Sequence, residues 1–211
     1  MQRSRQYHLA PATAGALLLV LASFAPATVL AAGSAEAGQA KAAVCAACHG
    51  VDGNSFNPEW PVLAGQNAAY QVASLKAFKS GERVNVLMSA QVATLTDQDM
   101  EDIAAFFASK PRQPKAADQG KLQNGERLYR GGNKESSIAA CIACHGPNGS
   151  GNAPAGYPAI GGQHAVYTAQ QLRAYRSGER KSDLNQMMRN NTARLTDAEI
   201  DAVASYVQGL R

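Results

Sequence analysis

The chain has 211 residues and a formal charge of +4, from 20 Lys/Arg against 16 Asp/Glu. Residues 32–115 hold seven Lys/Arg against eight Asp/Glu, and residues 116–211 hold eleven against eight. So slight a balance excludes a nucleic-acid footprint and reads as a solvated surface, with an asymmetry that can at most orient a charged partner.

At the N-terminus, Arg3 and Arg5 precede an apolar run from Ala14 to Ala25, and Val29-Leu30-Ala31 offers a small-residue cleavage site. The run is too short to span a bilayer comfortably. Residues 1–31 therefore read as a secretory signal peptide, and the mature chain is expected to start near Ala32 outside the cytoplasm. No later segment is apolar enough to cross a bilayer.

Cys45-Ala46-Ala47-Cys48-His49 follows, and Cys141-Ile142-Ala143-Cys144-His145 repeats it; together they use all four cysteines. Cys-x-x-Cys-His attaches a c-type haem: two thiols add to the porphyrin vinyl groups and the imidazole becomes an axial iron ligand. Positions i, i+3 and i+4 share one helical face, so all three groups can meet one edge of the flat macrocycle. Two covalently bound haems are expected. Disulfides or a zinc site are competing uses of the cysteines, but neither explains a histidine directly after the second Cys on both occasions. A thioredoxin-like motif would need βαβ patterning, which is missing.

Beyond the first motif, Pro61 ends a Gly/Pro-rich loop and Pro158 does so in the second copy; their carbonyls are candidate acceptors for the histidine ring N–H. Trp60 and its counterpart Tyr157 suggest an aromatic against the haem or in the core. Helices are expected from about Ala68 to Ser80 and from about Ala165 to Ser177, each ending before a glycine. Arg83 and Arg180 match across the repeat and are candidates for pairing with haem propionates, with surface exposure the competing reading. Met88 then stands in a loop seven residues before Leu95, and Met188, not Met187, stands seven before Leu195. That register selects Met88 and Met188 as sixth ligands; gap-filling around the macrocycle is the alternative role.

Thr96-Asp97-Gln98-Asp99 and Thr196-Asp197-Ala198-Glu199 carry a hydroxyl cap with an acid three residues on. Met100, Ile103, Ala104 and Phe107, and likewise Ile200, Val203, Ala204 and Val207, follow at helical spacing as core stripes. Pro111-Arg112-Gln113-Pro114 marks a linker, so domains are expected over residues 32–113 and 116–211. The fold class is all-α, a duplicated unit with little strand signal. Domains this small seldom build a sufficient core, so each haem is expected to supply much of its own. His164, with Asn67 at the matching place, reads as a helix-end or surface residue rather than a ligand.

These features together resemble the cytochrome c4 family of two-haem periplasmic electron carriers. The resemblance runs from Ala35-Glu36-Ala37-Gly38-Gln39 to Tyr206-Val207-Gln208-Gly209-Leu210. It rests on Cys-x-x-Cys-His-Gly with Asp52-Gly53-Asn54-Ser55, the Ala-Gly-Gln and Gly-Gly-Gln-His segments, Leu128-Tyr129-Arg130-Gly131-Gly132 and the two methionine segments. It implies two tandem cytochrome c-like domains related by a pseudo-twofold axis, with propionate edges facing each other. It also implies His49/Met88 ligation in the first domain and His145/Met188 in the second. One departure is the short connection from Arg83 to Met88, against the longer one from Arg180 to Met188.

The expected function is a soluble electron carrier, not an enzyme, with redox proteins as partners and no small-molecule substrate. The resemblance names a quinol-oxidising cytochrome complex as donor and a terminal oxidase as acceptor; peripheral association with the membrane surface stays open. The alternatives are the cytochrome subunit of a flavoprotein sulfide dehydrogenase and a di-haem peroxidase. The peroxidase would need an open iron position with acid/base groups beside it.

Overall fold

A computed structural model describes residues 32–211; the expected signal peptide lies outside the described residues. Helices α1 (Ala35–Lys41), α2 (Ala43–His49), α3 (Ala68–Ser80), α4 (Val86–Val92) and α5 (Asp97–Ala108) make the first half. Helices α6 (Leu122–Gly131), α7 (Ile142–His145), α8 (Ala165–Ser177), α9 (Met187–Thr192) and α10 (Asp197–Gly209) make the second in the same order. Among the described residues the only β pairings are two isolated bridges, Asn133 with Ile138 and Asn152 with Tyr157.

Each half is built on one helix crossing. In the first, α1 and α3 pack on α5; in the second, α6 and α8 pack on α10. The crossings depend on glycine: a Cβ on Gly38 would stand 2.0 Å from the Asp102 carbonyl oxygen, and one on Gly125 would stand 2.3 Å from that of Ala202. The α5 and α10 N-termini carry full capping boxes, Thr96 with Asp99 and Thr196 with Glu199, as the sequence predicts. Both α3 and α8 end on left-handed glycines, Gly81 and Gly178.

The buried cores are small. Ala42, Ile103, Phe106 and Phe107 form the first, with Cys45, Leu63 and Leu95 against it. The second gathers Leu128, Tyr129, Ile138, Ile200, Val203 and Val207, with Cys141 and Ile142 packed on it. In both, an attachment cysteine borders the core, so a bound macrocycle would extend the apolar interior.

The halves meet through reciprocal bonds. Arg83 donates to the Tyr167 hydroxyl at 2.7 Å and Arg180 to that of Tyr70 at 2.9 Å. Asn67 donates to the Tyr157 carbonyl at 2.9 Å, and at the matching place His164 Nε2–H donates to the Ser55 carbonyl at 2.8 Å. His164 is thus a helix-end residue but a buried one, committed to the interface and not to the surface. The linker is pinned rather than free. Arg112 donates to the carbonyls of Ala64 and Gly161, one from each half, and Lys115 reaches the Gly162 carbonyl. Burial lowers Arg112 to about 10, and its Nη2 has no partner among the described residues.

Candidate haem-attachment sites

Cys45, Cys48 and His49 all lie on α2, so one helical face presents two thiols and an imidazole. Cys141 caps α7, which carries Cys144 and His145 in the same relation. All four cysteines are free thiols. Burial pushes the Cys45 thiol up and takes Cys141 to about 11, which keeps both protonated in the protein without haem. Among the described residues no cluster of three or more His, Cys, Asp and Glu forms a metal site, which leaves the zinc alternative without a ligand set.

Both histidines are 7 % exposed and held the same way. His49 Nδ1–H donates to the Pro61 carbonyl at 2.9 Å, and His145 Nδ1–H to that of Pro158 at 3.0 Å. These are the acceptors the sequence predicts. Burial lowers both imidazoles, partly opposed by those carbonyls, so each ring is neutral with Nε2 as its free nitrogen. A neutral imidazole with the far nitrogen engaged is the form that binds iron.

The methionines differ from expectation in their local structure. Met88 lies in α4 and not in a loop: the Asn85 side chain caps the helix by accepting the Met88 N–H at 3.0 Å. Met188 occupies the second position of α9, after a 3-10 turn at Leu184–Gln186 in which Asn185 and Gln186 take positive φ of 51° and 58°. The three extra residues of the second copy are accommodated in this turn. Met187 is set apart from Met188, because the Tyr157 hydroxyl reaches its sulfur at 3.8 Å. Tyr157 also lies beside the His145 ring, with centroids 6.5 Å apart.

Arg83 and Arg180 are 7 % and 6 % exposed, which removes the surface reading. Arg83 stacks on Phe78 and Arg180 on Tyr175, each 4.5 Å from the ring centroid. Both donate to Gln171 Oε1 at 2.9 Å, yet among the described residues their hydrogen-bond partners are hydroxyls and an amide, with no carboxylate. Burial alone would raise the Tyr70 phenol, but Arg180 and Arg83 override it and lower that group to about 7. Two buried cations that meet no carboxylate among the described residues, only phenol, hydroxyl and amide groups, fit a group that brings its own anions, as haem brings propionates. The residues present therefore fit two covalently held haems. The sequence shows the arginine match; their burial depends on the other half of the chain.

Comparison with known proteins agrees. The family model described as "Cytochrome c" matches twice, over residues 35–110 and 122–211. The cytochrome c4 of Stutzerimonas stutzeri is 47% identical over 190 residues, covering 85% of this chain and 90% of that protein. A "Thiosulfate dehydrogenase electron acceptor" of Stutzerimonas stutzeri (strain A1501) is 39% identical over 170 residues, covering 78% of each. The crystal structure of reduced recombinant cytochrome c4 from Pseudomonas stutzeri superposes with a TM-score of 0.83 at 46% identity, covering 85% of this chain and 100% of that one.

Proposed function

Because the chain belongs to the cytochrome c4 family of di-haem electron carriers, we propose that it is a soluble periplasmic shuttle between a quinol-oxidising cytochrome complex and a terminal oxidase. Domains over residues 32–113 and 116–211 each hold one haem, after removal of residues 1–31. Cys45 and Cys48 hold the first and Cys141 and Cys144 the second. His49 with Met88, and His145 with Met188, fill the axial positions.

The observation that carries this reading is the pair of identically oriented imidazoles, each fixed at Nδ1 by a proline carbonyl, in a chain that supplies a register-matched methionine to each. Bound haem supplies the one-electron couple. The protein contributes the rest: imidazole and thioether leave no position for a substrate, and the thioether favours the reduced state. Arg83 and Arg180 receive the propionates and keep their charge from facing the interface uncompensated. For docking, the first half offers Val84, Val86 and Leu87 beside Met88, exposed by 72, 83 and 68 %. The second has Lys181-Ser182-Asp183 there and a single exposed apolar residue, Leu184. Exposed apolar side chains beside the proposed methionine ligand suit a transient redox contact.

A second reading has a specific observation behind it. The 39% identity to a thiosulfate dehydrogenase electron acceptor supports electron entry from a sulfur-compound dehydrogenase, a donor class close to the sulfide dehydrogenase weighed from sequence. Stopped-flow reduction of the oxidised protein separates the two. Rapid reduction of both haems by the quinol-oxidising complex, followed by rapid oxidation on mixing with a terminal oxidase, supports the shuttle. Rapid reduction by thiosulfate dehydrogenase alone overturns it in favour of the second reading.

A further inference from the structure

Gln66 and Gln163 follow the proline loops at matching positions, and both are buried, at 6 % exposure each. Each side-chain oxygen accepts the next backbone N–H in its own half, from Asn67 at 2.9 Å and from His164 at 3.0 Å, and each amide also reaches across to the other half. Gln163, in the second half, accepts the Val62 N–H at 2.8 Å and donates to the Val62 carbonyl at 3.0 Å in the first. Gln66 does the same in the opposite direction, accepting the Ala159 N–H and donating to the Ala159 carbonyl, both at 2.8 Å.

The peptide group that Gln163 grips by its N–H is the one joining Pro61 to Val62. The other end of that planar unit is the Pro61 carbonyl, which accepts His49 Nδ1–H. One rigid amide therefore connects the imidazole of the first half to a side chain of the second. Donation from its N–H polarises the amide, makes its oxygen a better acceptor and so strengthens the histidine bond. The Pro158–Ala159 peptide stands in the same relation to His145 and Gln66. A stronger bond at Nδ1 makes the imidazole more basic at Nε2 and stabilises the ferric state.

We propose that Gln163 and Gln66 are positioning residues that set the reduction potential of the haem in the opposite domain, so that docking of the domains is built into each iron's ligand field. This rests on His49 and His145 being axial ligands. The chain gains a means by which separation of its halves would change both potentials, because each histidine loses its partner amide's anchor at once.

The test uses the full, haem-loaded protein with Gln163→Ala and Gln66→Ala. Spectroelectrochemistry gives both potentials, and NMR of the reduced form follows Nδ1–H exchange at each histidine. The expected pattern is crossed. Gln163→Ala raises the potential of the first haem by up to tenfold in its one-electron equilibrium, which is about 59 mV, and speeds His49 Nδ1–H exchange, while His145 and its haem hold. Gln66→Ala does the reverse. Equal shifts in both haems, shifts in the same half as the substitution, or none would overturn the proposal. Should either variant fail to load haem, Gln163→Asn and Gln66→Asn, neutral but too short to reach the facing peptide, should give the same crossed pattern; uncrossed shifts in these variants would also overturn it. Failure of the ligand assignment is recognised separately, in the wild type, by a His49 or His145 ring without haem-shifted resonances.

Discussion

Arg83 donates to the Tyr167 hydroxyl at 2.7 Å, and across the pseudo-twofold Arg180 answers by donating to Tyr70 at 2.9 Å. Each guanidinium reaches the other half for a tyrosine acceptor, and Gln171 Oε1 accepts from both, from Arg180 within its own half and from Arg83 across the interface. Ser74 occupies the matching position in the first half, so the bridge is a single one and the network is asymmetric at its centre.

Tyr167→Phe removes the acceptor of a buried cation while keeping the ring. A hydrogen bond to a charged group contributes about 1.5–3 kcal/mol, and for a domain pair of this size that lowers Tm by several degrees. Calorimetry of the holoprotein checks it, and an unchanged Tm contradicts the interface reading. Arg83→Gln should in addition lower both haem potentials, because a positive charge that opposes the ferric state is lost; unchanged potentials would show that the arginines do not face the propionates.

Met88→Ala should lower the potential of the first haem and leave the second nearly intact, and Met188→Ala should do the opposite. Spectroelectrochemical titration resolves the two. Met187→Ala is the control. Its sulfur is engaged by the Tyr157 hydroxyl, so its loss should leave both potentials close to wild type, and a large drop there would move the ligand assignment to Met187.

Gly125→Ala places a Cβ 2.3 Å from the Ala202 carbonyl oxygen, and that backbone cannot yield without separating α6 from α10. Overpacking of this kind costs about 1–3 kcal/mol. Denaturant unfolding of the holoprotein measures it. Gly131→Ala, with nothing within 4 Å of the added carbon, should cost far less.

Much of this architecture is legible in one sequence, and the residues show where legibility ends. Haem motifs and capping boxes are short and local, so Cys45 to His49 and Thr96 to Asp99 are read without a fold. The α3 and α8 helices are legible for the same reason, ending on Gly81 and Gly178. Helix α1 gives little periodic signal, being mostly Ala, Gly and Gln, and it is held by its glycine crossing with α5; α6 does carry a helical stripe, Gly125, Leu128 and Tyr129, that the sequence reading did not use. Met88 reads as a loop residue until Asn85 is recognised as a side-chain cap, a signal present in the sequence. The burial of His164, Arg83 and Arg180 is not local at all. Each takes a hydrogen-bond partner from the other copy of the repeat, and no local window of sequence joins His164 to Ser55, Arg83 to Tyr167 or Arg180 to Tyr70.

Lys41 holds Asp102 at 2.6 Å and Asp99 at 2.7 Å, and its ammonium keeps both carboxyls below the usual carboxylate range. Asp102 is also 4 % exposed and accepts the Ser34 N–H. Because the folded values are depressed, this contribution is fully present above the unfolded carboxylate pKa of about 4 and is lost as pH falls through the folded values. Asp102→Asn should therefore be less stable than wild type at pH 7, and the difference should shrink on acidification. Thermal unfolding as a function of pH checks it, and parallel profiles for the two proteins would contradict it.

The central claim is that this chain carries two haems, each held by histidine and methionine, and an optical spectrum of the purified, exported protein in both oxidation states tests it most directly. The account predicts two c-type haems per chain and, in the oxidised form, a methionine-to-ferric-iron charge-transfer band of an intensity that requires both sites. Two haems without that band would contradict Met88 and Met188 as ligands and return an open or bis-histidine iron.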